Sequence, residues 1–255
     1  GYPGSRPHRT PGVNREFQLH FAKLGSTPIR AAMRAFASMR IKRGGFPYHL
    51  VLLQLAHDAN FRNIGPIEDQ SSFLNDVMRG FARGAPSHHH LVLKAHPLDD
   101  GREPLRPLIK RLSKKHELSR RVHFVSGGKL AQLLDGARSA VTVNSTSAEQ
   151  ALWRGLPLKA YGKAVFNRPE FASDQPITDF FRHPKAMDHD AYQTYRRFLL
   201  STSLFPGCFY AYRNRLKVLR LLPDIMLTAN GPYAQILCHE SGHAAGRQHL
   251  RAVLS

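Results

Sequence analysis

Residues 90–125 read HLVLKAHPLDDGREPLRPLIKRLSKKHELSRRVHFV. An apolar run at 90–94, a helix-like stretch at 104–118 and a second apolar run at 122–125 follow one another within a few tens of residues. Such a succession is a βαβ unit, whose crossover is right-handed and whose strands lie parallel. The same texture extends outward in both directions. Further apolar, β-rich runs occur at 49–56, 140–143 and 157–161, and further helix-like stretches at 69–83, 129–136 and 147–154. The runs are short and continuous rather than alternating, as expected of strands covered on both faces. The expected fold is therefore α/β, a doubly wound parallel sheet of Rossmann-like type over residues 49–175.

Around that domain the composition shifts. Residues 1–48 carry nine Lys/Arg and one acid, Glu16. They read as a basic N-terminal extension, Pro/Gly/Arg-rich and disordered through Asn14, then helical over 16–43 with a break at Pro28. A basic amphipathic stretch of this kind either lies on anionic lipid or is an ordinary helix whose charges face water. Residues 176–222 read as a helical C-terminal extension of the sheet domain, and 223–255 as a tail. No repeat period is visible.

Thirty-seven Lys and Arg against eighteen Asp and Glu leave a net charge of +19. That excess predicts an anionic partner: nucleic acid, a phosphorylated substrate or an acidic membrane surface. No helix-turn-helix, zinc finger or interleaved basic–aromatic pattern is present, which argues against nucleic acid. No apolar run approaches the ~18–20 residues that span a bilayer; the longest are 50–56 and 198–205. Cys208 and Cys238 are the only cysteines, so no disulfide framework is expected. The opening Gly1-Tyr2-Pro3-Gly4 has neither an initiator Met nor an apolar signal segment, and reads as an interior starting point in a cytoplasmic protein.

In an open parallel sheet, ligands bind beyond the carboxyl ends of the strands. The residues leaving each expected strand are therefore the candidate site. The first exit carries Gln54, His57, Asp58 and Arg62, the second Lys94, His96 and Pro97, the third Ser126-Gly127-Gly128, and the fourth Asn144-Ser145-Thr146-Ser147. The fourth opens the helix holding Gln150, where free N–H groups and hydroxyls suit a phosphate; a plain helix cap is the competing reading. Lys94 and His96 supply cationic donors for the same anion. Gly127-Gly128 is either a turn or a place where backbone meets ligand. Asp58 is the candidate catalytic carboxylate, with Arg62 able to hold it ionised, although a surface ion pair accounts for the same residues.

Taken in order, 52–58, Lys94-Ala95-His96-Pro97-Leu98-Asp99, Val143-Asn144-Ser145-Thr146 and 150–159, closed by Phe205-Pro206-Gly207-Cys208-Phe209-Tyr210, resemble the capsule polysaccharide biosynthesis family of KpsS/KpsC and LipA/LipB type. The resemblance covers about residues 48–212. It implies the C-terminal, nucleotide-binding half of a two-domain glycosyltransferase of GT-B type. It further implies a retaining β-Kdo transferase that needs no cofactor, with CMP-Kdo as donor and a phosphatidylglycerol-linked oligo-Kdo acceptor at the inner membrane. Its partners would be the capsule biosynthesis and export machinery. On that resemblance Lys94, His96, Pro97, Asn144, Ser145, Thr146 and Gln150 hold the donor nucleotide. Asp58 is the carboxylate at the sugar, and Gln54 and Arg62 support it. The acceptor-binding half would need roughly 120 further residues, more than residues 1–48 offer.

A rival signal stands near the C-terminus. His239-Glu240-Ser241-Gly242-His243-Ala244-Ala245-Gly246-Arg247-Gln248-His249 fits H-E-x-x-H-x-x-G-x-x-H. That spacing makes His239, His243 and His249 zinc ligands and Glu240 the base of a metallopeptidase. Against it, only six residues follow His249, too few for the Met-turn beneath such sites, and nothing upstream reads as a peptidase sheet. A non-catalytic scaffold for capsule assembly is the third reading. His88-His89-His90 alternate across a strand and cannot all grip one metal, so packing is their expected role. Trp153 is expected in the core.

Overall fold

The structure is a computed structural model and describes residues 39–41, 43–55, 69–97, 99, 104–204, 207 and 212–227. Five strands, β1 (Tyr48–Leu52), β2 (His90–Lys94), β3 (Val122–Val125), β4 (Ala137–Thr142) and β5 (Leu158–Ala160), form one sheet in the order β3-β2-β1-β4-β5. Every pairing is parallel. Between the strands lie α1 (Gln70–Gly84), α2 (Leu105–Lys115), α3 (Leu130–Leu134) and α4 (Glu149–Leu152). Then follow α5 (Ile177–Arg182), α6 (His189–Thr202) and α7 (Tyr212–Leu227). This is the doubly wound α/β architecture expected, with the strand order of a Rossmann-type sheet.

Alternation along the strands fills the two sides. Val51, Leu53, Leu91, Leu93, Val141 and Val143 pack on α1, α2 and α5 through Phe73, Val77, Ile109 and Phe181. Their neighbours Leu50, Leu52, Val92 and Ala140 point the other way, onto Leu134, Leu152 and Tyr192 from α3, α4 and α6. Both faces are apolar because both are covered. On the first side α1 and α5 meet through small residues: a Cβ on Gly84 would overlap the carbonyl of Thr178, and one on Gly80 would overlap Ile177.

Two strand boundaries differ from expectation. β1 stops at Leu52, where its ladder rungs to Lys94 of β2 and Thr142 of β4 end. β4 begins at Ala137, ahead of the apolar run, because Ser139 is taken into the sheet as the partner of His49. The expected helix over 147–154 is shorter and divided: one 3-10 turn (Thr146–Ala148) passes into the single α-turn of α4. The expected basic helix over 16–43 lies almost wholly outside the described residues. Among the described residues no helix is long and apolar enough to cross a membrane.

Candidate functional site at the carboxyl edge of the sheet

Val125, Lys94, Leu52 and Thr142 stand level with one another across β3, β2, β1 and β4. The chain moves from β1 outward through β2 to β3, then returns to the other side of β1 for β4. The crevice between the ends of β1 and β4 is therefore the topological switch point, where open α/β sheets bind ligands.

Two amides close that point. Gln54 Nε2 donates to Asn144 Oδ1 at 2.5 Å, and Asn144 N donates to Gln54 Oε1 at 3.1 Å. Both residues are buried, so each bond is made away from water and its loss leaves a desolvated partner. Beneath them Thr142 Oγ1 donates to Leu52 O at 3.2 Å and accepts from Ser145 N at 3.3 Å. The first and fourth exits are thus joined by side chains on top of the ladder.

Ser145 begins the next turn. Its Oγ accepts from Ser147 N at 3.4 Å and lies 2.7 Å from Ser147 Oγ. Capping is what this hydroxyl does in the structure, and the helix it caps is short, so less dipole collects here than a long helix would supply. Thr146 is exposed beside it. On the neighbouring strand Lys94 is buried and donates from Nζ to Ala95 O at 3.0 Å. His96 is half-buried, its carbonyl accepts from Asp99 N at 3.0 Å, and Pro97 is exposed. At the third exit Gly128 has φ 78°, a left-handed conformation that favours glycine.

The structure therefore brings Gln54, Lys94, His96, Pro97, Asn144, Ser145 and Thr146 to one edge of one sheet. Gln150 stands one turn further on, exposed, with its carbonyl accepting from Arg154 at 2.9 Å. Asp58, with His57 and Arg62, lies outside the described residues, as do His239, Glu240, His243 and His249. Between the first turns of α1 and α2, which start at this same edge, a cavity of about 440 Å³ is lined by Asp69, Gln70, Leu105, Leu108 and Arg111 among others. Asp69 caps α1 by accepting from Ser72 N at 2.6 Å, and those bonds hold its carboxyl below the usual carboxylate range.

One acid was not among the expected residues. Glu149 is half-buried, and burial pushes its carboxyl up while Arg196 pulls the other way. It precedes buried Leu152 by three positions and so shares the inward helix face; that spacing was the available signal. Trp153 does not enter the core. It is 47% exposed, and the Arg196 guanidinium covers its indole at 3.8 Å. Trp153 keeps helical backbone angles, and the same turn that buries Ala148, Ala151 and Leu152 sets position 153 on the outer side, where a cation covers the ring face.

Residues 2–210 match the family of capsule polysaccharide biosynthesis proteins. The chain belongs to this family. The match takes in the basic N-terminal stretch as well as the whole sheet, and it stops before 239–249. Among relatives of this capsule biosynthesis family member, the capsule polysaccharide export protein KpsS of Escherichia coli is 34% identical over 163 residues, 64% of this chain and 42% of that protein. The capsule polysaccharide modification protein LipB of Neisseria meningitidis serogroup A is 29% identical over 217 residues, 82% of this chain and 51% of LipB. The chain thus spans about half the length of the curated relatives it matches. Among solved structures, KpsC of Thermosulfurimonas dismutans, a beta Kdo 2,7 transferase, superposes with a TM-score of 0.40 at 16% identity, over 68% of this chain and 56% of that one.

Proposed function

We propose that this capsule family member supplies the donor-nucleotide half of a retaining β-Kdo transferase of GT-B type. Such an enzyme moves Kdo from CMP-Kdo to a lipid-linked oligo-Kdo acceptor at the cytoplasmic face of the inner membrane. The observation that carries this reading is the Gln54–Asn144 amide pair at the switch point, with Ser145 on one side of it and Lys94 and His96 on the other strand. A bound cytidylate there would meet uncharged amides at the centre, with the buried Lys94 ammonium and the half-buried His96 beside them as donors to a phosphate monoester.

In the reaction the bond from the anomeric carbon to the phosphate oxygen breaks, and its electron pair leaves with CMP. His96, Ser145 and Thr146 stabilise that departing charge in this reading. Asp58 attacks the opposite face of the sugar and forms an ester bond to the anomeric carbon. An acceptor hydroxyl then displaces the carboxylate and loses its proton, so that two inversions restore the starting configuration. The acceptor and the capsule assembly machinery are the partners this assignment requires.

Calorimetric titration of CMP into the chain tests the reading. We expect saturable binding that His96→Ala weakens by about tenfold, the worth of one charge-assisted hydrogen bond. Absence of binding, or equal affinity in parent and variant, overturns it. If CMP binds and no Kdo reaches a Kdo-primed lipid, the chain is a nucleotide-binding part of the assembly rather than the transferase.

A further inference from the structure

Helix α7 carries two faces with different surroundings. Val218 is buried, and the backbone of Gly207 lies against Val218 and Asn214, so this side packs on the segment that precedes the helix. Tyr212, Leu216, Leu219, Pro223, Met226 and Leu227 recur at helical spacing on another side. All six are exposed, from 37% at Leu216 to 84% at Leu227. Arg213, Lys217 and Arg220 run along one margin of that stripe and Arg215 along the other, and all four are exposed. The helix sequence contains four basic residues and one acid, Asp224.

We propose that α7 lies in the surface of an anionic phospholipid bilayer, with the stripe from Tyr212 to Leu227 entering the acyl boundary and the flanking cations on the headgroup phosphates. An apolar stripe bordered by arginines and lysine on both margins is the pattern of a helix lying in the plane of the interface. Long basic side chains reach outward from it with their stems on apolar surface. Each cation near an anionic leaflet adds attraction. The rest of the chain adds to this pull, since the whole chain carries a net charge of +19, most of it outside α7. The same charge disfavours a second copy as occupant, because pairing two stripes would set both basic margins against each other. The inference deepens the membrane side of the transferase reading, but it stands on α7 alone and needs neither donor nor Asp58.

Flotation of the full chain with vesicles tests it. We expect partition onto vesicles of phosphatidylglycerol and phosphatidylethanolamine, weaker partition onto pure phosphatidylcholine, and loss of the difference at high salt. Leu219→Asp with Met226→Asp is expected to lower the partition by about tenfold or more, because two apolar contacts become charges in the acyl boundary. Arg213→Glu with Arg220→Glu is expected to lower it on the anionic vesicles alone. Far-UV circular dichroism confirms that each variant is folded. Parent protein that stays off anionic vesicles, or variants that bind as tightly as the parent, overturn the proposal. So does a parent that light scattering shows to be a dimer which Leu219→Asp dissociates. CMP binding is unaffected by these substitutions, so the two readings fail separately.

Discussion

Lowering the pH from about 7.5 to about 5 is expected to remove about 2 kcal/mol of folding stability for each buried histidine at the amino edge of the sheet. His49 is wholly buried there, with Nδ1 2.8 Å from Ser139 Oγ and Nε2 3.0 Å from His89 Nδ1, between the rings of Phe81 and Phe181. Next to it His90 Nδ1 lies 2.8 Å from His123 Nε2, and Phe46 stacks on both rings. Burial first, then the charges of His89, Arg138 and Arg121, push His49 down to about 3. His89 falls to about 4 by burial and then Arg138, His88, Arg121 and His90; His123 falls to about 4 by burial, His90 and Arg40. A depressed base contributes stability that is fully present above the unfolded pKa of about 6.5 and is lost as the pH falls from there toward the folded pKa. At about pH 5 the unfolded chain has taken up these protons and the folded chain has not, which is worth RT ln(1 + 10^1.5), about 2 kcal/mol per group. Three such groups would reach about 6 kcal/mol, the scale of a whole domain's stability, and their shared hydrogen bonds make the sum smaller than additive. Urea unfolding followed by circular dichroism at several pH values measures the slope directly, provided the denaturant dependence stays constant. His49→Gln keeps an amide donor and acceptor for Ser139 and His89 while removing the titration, and is expected to flatten the slope by about 2 kcal/mol over the same range. A stability that changes by less than about 1 kcal/mol between those pH values, or a His49→Gln slope equal to the parent's, refutes the reasoning.

Three other outcomes follow from the packing. Gln54→Ala and Asn144→Ala are each expected to cost about 1–3 kcal/mol, with a double-mutant coupling above about 0.5 kcal/mol, in urea unfolding; zero coupling would mean the pair is not made. Gly84→Ala is expected to cost about 1–3 kcal/mol and lower the melting temperature, because the new methyl group meets the Thr178 carbonyl; an unchanged melting curve would show that α1 and α5 do not approach so closely. Arg196→Ala uncovers Trp153, the single tryptophan, so emission should move to longer wavelength and iodide should quench it more, at a stability cost of about 0.5–1 kcal/mol. An identical spectrum would place the guanidinium elsewhere.

The parallel sheet was legible because its strands are continuous apolar runs, and continuity is what burial on both faces demands. Boundaries were less legible wherever a polar residue belongs to the sheet. Arg138 and Ser139 gave no strand signal, yet β4 starts before them, since His49 needs Ser139 within the ladder. The reverse holds for the far end of β1, where the run in sequence continues past Leu52 although the ladder pairing of β1 with β2 and β4 ends at Leu52. Trp153 misled for another reason: its hydrophobicity predicts burial, but the helical phase that buries Ala148, Ala151 and Leu152 puts position 153 on the outer side, under Arg196.

The site was legible only one strand at a time. Polar residues at each exit mark the carboxyl edge, but nothing local ties Gln54 to Asn144, which are separated by 90 positions. Their pairing needs the strand order, because only with β4 beside β1 do the two exits become neighbours. Position along the strands, rather than their order, sets His49, His89, His90 and His123 at the amino edge and Gln54 and Asn144 at the carboxyl edge, with opposite consequences. At the amino edge, Phe46, Phe81 and Phe181 seal imidazoles among one another, so a proton there costs stability. At the carboxyl edge the buried central amide pair is uncharged and does not titrate. If CMP binds at the carboxyl edge as proposed, acid can lower stability at the amino edge without changing the state of the Gln54–Asn144 amides, and the pH series and the CMP titration measure the two separately.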